Sequence, residues 1–173
     1  MKTLHYLAYG SNLHPRRLQQ RVPSARLIGT LGLMGWQLRF HKRGQDASAK
    51  CNIIQTGRTA DVVYGAIYEM LASEKVPLDK IEGLGAGYRL AHIDIANVGS
   101  AFFYVAEAAF IDNDLLPFAW YKELVMAGGQ LHAFPSTYLE QIATVKVMPD
   151  ADTARQHRNL AILAAGEDVV SGS

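Results

Sequence analysis

The sequence predicts an α+β fold, a small curled sheet or mixed β-barrel with flanking helices and a helical C-terminal part. Three observations predict it. Strand-like runs rich in aliphatic and aromatic residues recur between residues 3 and 107, while from residue 116 onward apolar residues are spaced by three and four, the helical period. Polar, glycine-containing stretches separate the strand-like runs. Strands grouped ahead of helices favour α+β over alternating βαβ units. A chain of 173 residues is expected to form one domain, 1–173, long enough to bury a core without disulfides or metals.

Residues 3–9 (TLHYLAY) alternate as a largely buried strand does. Gly10-Ser11-Asn12 ends the run. Such a break on small residues is either an ordinary turn or a place where backbone N–H groups are offered to a ligand. In the following LHPRRLQQRV, Leu13, Arg17 and Leu18 have helical spacing. Pro15 is tolerated there because first-turn N–H groups lack intrahelical acceptors. From 25 to 69 the pattern is β: ARLIGTLGLMGWQLRFHK, CNIIQ and VVYGAIYEM, separated by GQDASAK and TGRTAD. Residues 73–82 (SEKVPLDKIE) predict a short helix opened by Ser73 or Asp79, with Gly83, Gly85 and Gly87 as C-cap or loop glycines. Strands are expected at 88–97 and 100–107, hinged at Gly99. The helical region that follows is expected to be interrupted at Gly128-Gly129 and again before Pro135. A last helix at 151–164 is expected to stop at Gly166, leaving VVSGS as a frayed tail.

Composition narrows the function classes. Hydrophobic residues make up 49% and charged ones 19%, ordinary for a globular protein. A net charge of +1 with scattered Lys and Arg lacks the electrostatic footprint of a nucleic-acid or anionic-membrane binder, so a small-molecule or protein partner is expected. One cysteine, Cys51, and an N-terminus that runs from Met1-Lys2-Thr3 directly into strand-like sequence predict a cytoplasmic protein.

Several motifs dissolve on inspection. Gly83-Leu84-Gly85-Ala86-Gly87 brushes against a dinucleotide fingerprint, but it follows a helix and leads into a strand, the reverse of the required order. Ser11 lacks the second glycine of a nucleophile elbow. The histidines at 5, 14, 41, 92, 132 and 157 show no paired metal spacing, so no metal or cofactor is expected. Glu82 is different. It lies four residues after Leu78, so it projects from the same side of its helix as the apolar markers Leu78 and Ile81. A carboxylate there loses solvation, which suits a group that exchanges protons near neutral pH. It also sits at the negative end of the helix dipole, an unfavourable place that a functional use would explain.

Two segments together, YLAYGSNL (residues 6–13) and LDKIEGLGAGYRL (residues 78–90), resemble the γ-glutamylcyclotransferase family. Pro23-Ser24-Ala25, the β region, Tyr88 opening a strand and Tyr121-Lys122 follow in the same order, so the resemblance spans essentially the whole chain. It implies a small mixed barrel with flanking helices, often dimeric, that acts on γ-glutamyl amides without metal or cofactor. The products would be 5-oxoproline and a free amine, chemistry associated with glutathione metabolism. By the same resemblance Glu82 matches the catalytic glutamate. Tyr6, Leu7, Ala8, Tyr9, Gly10 and Ser11 match the stretch that holds the glutamyl head, Asn12 is expected to brace that loop, and Tyr121 matches a tyrosine lining the same cavity. Leu7 departs from the phenylalanine of the animal enzymes, a change expected to alter packing more than chemistry. A γ-glutamylamine cyclotransferase, a γ-glutamyl deprotecting enzyme of a biosynthetic pathway and a non-catalytic γ-glutamyl-binding module stay open as alternatives.

Overall fold

The structure is a computed structural model and describes residues 1–164; the predicted stop at Gly166 and the VVSGS tail lie outside the described residues. The strands are β1 (Thr3–Ala8), β2 (Arg26–Met34), β3 (Trp36–Arg43), β4 (Ala49–Gln55), β5 (Val62–Leu71), β6 (Tyr88–Ile95) and β7 (Gly99–Ala106). The helices are α1 (Pro15–Arg21), α2 (Lys75–Glu82), α3 (Ala119–Leu131), α4 (Ser136–Ala143) and α5 (Thr153–Ala164). This is the mixed α+β arrangement expected.

Five strands form one sheet in the order β2-β5-β1-β7-β6, and β3 and β4 form a separate two-stranded sheet. β1 runs antiparallel to β5 and parallel to β7. Its central place explains its composition: Tyr6, Leu7 and Ala8 are all buried, as on a strand covered on both faces. The expected barrel is not what is observed, because the sheets do not close. The cause is local to Gly35, which adopts φ +81°, a left-handed conformation that favours glycine. There the run read as one β stretch divides in two. Gly35 N–H donates to the Asp61 carbonyl at 2.8 Å, β2 stays on β5, and β3 leaves to pair with β4.

A buried polar relay ties the hairpin back to the main sheet. Asn52 on β4 accepts from the Ala106 N–H at 2.8 Å and lies 3.0 Å from His41 Nε2, whose Nδ1 is 3.0 Å from Asn113 Oδ1. Beside it the Tyr88 hydroxyl donates to the Cys51 carbonyl at 2.5 Å. These bonds hang β4 across the ends of β6 and β7, satisfying polar groups that would be costly if buried alone.

Two helix expectations need correction. α3 runs unbroken through Gly128-Gly129. A Cβ on Gly128 would lie 2.5 Å from Leu13 Cβ and 2.8 Å from the His14 nitrogen, and one on Gly129 would lie 2.7 Å from Leu139 Cδ2. These glycines allow close packing rather than a break. Neither Ser73 nor Asp79 caps α2: Ser73 sits in a short 3-10 turn, and the residue ahead of the helix is Glu74, with no side-chain cap. Asp79 instead accepts from Lys75 Nζ and the Tyr104 hydroxyl. The predicted close of α2 is as observed, with Gly83 at φ +79° donating to the Asp79 and Lys80 carbonyls. The break before Pro135 is observed too. Among the described residues no helix is long and apolar enough to cross a membrane.

The helical layer is fastened by Asp150, which accepts from Trp120 Nε1 at 2.8 Å on α3 and from Arg155 Nε at 2.7 Å on α5. The Arg155 hydrogen bond, with help from Trp120, holds the Asp150 carboxyl well below the usual carboxylate range. A depressed carboxyl contributes stability that is complete above the unfolded value, about 3.9, and is lost as pH falls toward the folded one. Urea midpoints of the wild type should therefore drop between neutral pH and pH about 3, and Asp150→Asn should lower the neutral midpoint and shallow that drop. At Gly128, alanine gains up to about 1 kcal/mol of helix propensity but overpacks a contact costing about 1–3 kcal/mol. Gly128→Ala should thus be destabilised in chemical denaturation, the opposite of the usual result for a glycine inside a helix.

Candidate active site

β1 ends at Ala8, the chain leaves the sheet through Tyr9 and Gly10, and a 3-10 turn at Ser11–Leu13 hands it to α1, which begins on Pro15. Leu13 N–H bonds the Gly10 carbonyl at 2.9 Å and His14 N–H bonds that of Ser11. The amides before them, on Ser11 and Asn12, are first-turn donors with no acceptor supplied by the turn. Gly10 is tightly packed: a Cβ there would lie 3.0 Å from Cys51 Cβ and 3.5 Å from the Tyr121 hydroxyl.

Asn12 is almost fully buried and joins three elements. Its Nδ2 donates to the Tyr6 hydroxyl at 3.0 Å and to Glu82 Oε1 at 2.9 Å, while its Oδ1 accepts from Arg21 Nη1 at 3.0 Å. Arg21 Nη1 also pairs with Glu82 Oε1 at 2.7 Å. Asn12 therefore does more than brace the loop: it fixes the glutamate. Both contacts fall on Oε1, and no described residue bonds Oε2. Glu82 was expected on an apolar stripe. Leu78 is indeed fully buried, but Ile81 is 51% exposed, and the Glu82 side chain, 16% exposed, lies at a cleft edge with Arg21 as counter-ion.

Glu82 and the Gly10-Ser11-Asn12 turn face one chamber of about 30 Å³, walled by Tyr6, Tyr9, Tyr88, Tyr104 and Tyr121 and by Cys51. The hydroxyls are themselves held: Tyr9 donates to the Tyr104 carbonyl, and Tyr121 accepts from the Cys51 N–H at 3.0 Å. Burial pushes all five phenols well above their ordinary value and the Cys51 thiol up to about 12. None of these groups ionises at neutral pH. The chamber opens on a cavity of about 450 Å³ that shares Ser11, Glu82, Tyr88 and Tyr121 with it.

The structure thus gathers Tyr6, Tyr9, Gly10, Ser11, Asn12, Tyr121 and Glu82 around one space. It does not bring Leu7 and Ala8 there. Both are fully buried and line neither cavity; Leu7 packs over Gly65, where its Cδ1 would lie 2.6 Å from an added Cβ. Their part is to build the strand that delivers the turn. Sequence reasoning missed Arg17, Arg21, Tyr88 and Tyr104. A signal for the arginines was present: positions 17 and 21 are four apart on α1, hence on one face, directly after the loop. Arg17 Nε donates to Ser11 Oγ at 3.0 Å. Among the described residues no group of three His, Cys, Asp or Glu could hold a metal ion.

A central turn, a clamped glutamate and a tyrosine-walled chamber thus meet on this mixed sheet. In sequence and in fold the chain is similar to γ-glutamylcyclotransferases. It is 25% identical over 146 residues to the human γ-glutamylcyclotransferase, covering 82% of this chain and 78% of the relative, with the same figures for the bovine protein. A solved γ-glutamyl cyclotransferase has the same fold, with a TM-score of 0.78 at 24% identity over 95% of this chain and 100% of that one. The crystal structure of an uncharacterized human protein aligns with a TM-score of 0.73 at 25% identity over 86% and 90% of the two chains. No protein-family model matches the chain.

Removing the Asn12 carboxamide leaves the Tyr6 hydroxyl and the Arg21–Glu82 pair short of a partner. Asn12→Ala should cost about 1–3 kcal/mol in urea unfolding. Asn12→Asp should cost more, because it sets a second carboxylate against Glu82; equal midpoints for the two variants would contradict the bonding described.

Proposed function

We propose that the protein is a γ-glutamylcyclotransferase, closing a γ-glutamyl amide on itself to give 5-oxoproline and a free amine, with Glu82 carrying the protons. The observation that carries this reading is the single chamber shared by the Glu82 carboxylate and the Gly10-Ser11-Asn12 turn. Its small volume, about 30 Å³, takes one polar group of the glutamyl head, so the rest of the substrate lies in the adjoining cavity. First-turn amides of Ser11 and Asn12 suit an α-carboxylate or a developing oxyanion.

The substrate supplies its own nucleophile. Its α-ammonium gives a proton to Glu82, and the resulting amine attacks the γ-carbonyl carbon. A ring C–N bond forms, the ring nitrogen loses a second proton, and the amide C–N bond breaks. The two protons lost by the attacking nitrogen end on the departing amine, which leaves as an ammonium. Holding the chain folded makes the attack intramolecular, a source of effective molarities on the order of 10⁵–10⁸ M. The Asn12 and Arg21 bonds, both on Oε1, support this reading because they orient the carboxylate while leaving Oε2 to exchange protons. The buried, neutral phenols do not compete as bases.

A γ-glutamylamine cyclotransferase or a deprotecting enzyme would use the same steps and differ only in the leaving amine. A binding module would take up γ-glutamyl ligands without forming product. Glu82→Gln should fold, retain a γ-glutamyl ligand in calorimetry and form 5-oxoproline slower by about 10²–10⁴-fold in single turnover. Near-normal turnover in that variant would overturn the assignment, and binding without product by the wild type would favour the module.

A further inference from the structure

The cavity beside the chamber is charged in an uneven way. Five cations line it, Arg17, Arg21, Lys42, Lys50 and Arg155, against the carboxylates Asp46 and Glu82. Three of the cations are already paired: Arg21 with Glu82 at 2.7 Å, Lys50 with Asp46 at 2.7 Å, and Arg155 with Asp150 at 2.5 Å. Arg17 and Lys42 form no ion pair among the described residues, although both are buried. Arg17 is held only by neutral groups, Ser11 Oγ and Asn159 Oδ1, and stands over the Trp120 ring at 5.7 Å. Lys42 Nζ lies 4.5 Å from the Tyr88 ring centroid and bonds no described oxygen. Burial lowers Arg17 to about 10 and moves Lys42 down from its ordinary value. Glu82 and Asp46 act on these cations only from a distance, and keeping two desolvated cations without a bonded counter-ion is unfavourable for an isolated protein, a cost that an anionic ligand offsets.

Resting on the cyclotransferase reading, we propose that the leaving amine bears two anionic groups, as an acidic or phosphorylated amino acid does, and that Arg17 and Lys42 receive them. The count follows from the division of space. The α-carboxylate of the glutamyl unit is met by the turn amides, so the two unpaired cations remain for the part of the substrate in the cavity. An uncharged or cationic amine, such as a polyamine, would leave both cations buried and unpaired.

The test compares substrates of matched shape on the wild-type protein: γ-glutamyl-glutamate against γ-glutamyl-glutamine, and γ-glutamyl-phosphoserine against γ-glutamyl-serine, with 5-oxoproline detection. The member of at least one pair whose leaving amine bears two anionic groups should have a kcat/KM at least about tenfold higher, the scale of one charge-assisted hydrogen bond, and the ratio should shrink with added salt. The pair that shows the preference identifies the anion as carboxylate or phosphate. Ratios under about threefold in both pairs, less than the weakest charge-assisted bond, or a preference for the member with a single anionic group would overturn the inference while leaving the cyclotransferase reading intact. If no substrate yields 5-oxoproline, that reading fails by itself. The inference is then decided by calorimetric affinities of the same pairs, where the same threefold limit applies. Lys42→Met should collapse the ratio toward one and Lys42→Arg should keep it; a full preference retained in a folded Lys42→Met protein would remove Lys42 from the assignment.

Discussion

The buried carboxamide of Asn12 is the constraint on which the site depends. It bonds Tyr6 on β1, Arg21 on α1 and Glu82 at the end of α2, so the strand and helix that flank its turn meet the sequence-distant α2 at one planar group. A carboxamide suits this position because it presents a donor side and an acceptor side at once. The donors face a phenol and a carboxylate, and the acceptor faces a guanidinium. Such a network is favourable only when complete, since a buried polar atom left unpaired loses its hydration without return. The main chain around Asn12 is tied in the same way, with Leu13 bonded to the Gly10 carbonyl and Gly128 of α3 packed against Leu13.

The position of Glu82 follows from this clamp and from the helix end that carries it. A carboxylate in the last turn of a helix faces the unsatisfied carbonyls of its own backbone. Two features relieve that conflict. Gly83 turns left-handed and donates its N–H to the Asp79 and Lys80 carbonyls, and Arg21 brings a positive charge to Glu82 Oε1. The misplaced charge visible in the sequence is thus resolved by a residue about sixty positions earlier. No local pattern around residue 82 contains that information.

This contrast explains how much was legible in the sequence. Strand runs, the Gly83 stop and the break before Pro135 are local and were readable from period and turn chemistry. The division at Gly35 was not, because a glycine within a β-rich run marks either continuity or a corner, and only pairing with Asp61 and the separate β3–β4 ladder decides it. Gly128-Gly129 was misread for a related reason: low helix propensity points to a break, while contact with Leu13 and Leu139 demands small residues inside an intact helix. Ser73 looked like a cap by residue type, but the chain enters α2 through a 3-10 turn instead. At the site, the turn and Glu82 were found through a resemblance carried by two short segments. Leu7 and Ala8 came with the first segment by adjacency alone and proved to be core. Tyr88 and Tyr104 were hidden because buried aromatic residues on β6 and β7 look like ordinary core until the hairpin brings Cys51 against them.

The open architecture divides the protein's labour. Tyr6, the Gly10-Ser11-Asn12 turn, Tyr104 and Glu82 stand on β1, β7 and α2, which are fixed by the main sheet and by the Asn12 clamp. Lys42 and Lys50 stand on β3 and β4, and Asp46 lies in the loop between those strands. That hairpin belongs to its own two-stranded sheet and joins the main one through the Asn52 relay and the Tyr88–Cys51 bond. In a closed barrel a register shift in one strand must be taken up around the whole ring. Here Lys42, one of the two cations proposed to receive the leaving amine, sits on that hairpin, whereas the other, Arg17, stands on α1 and bonds Ser11 of the turn. The departure from the expected barrel therefore sets Lys42 and Lys50 on an element apart from the strand and helices joined by the Asn12 clamp.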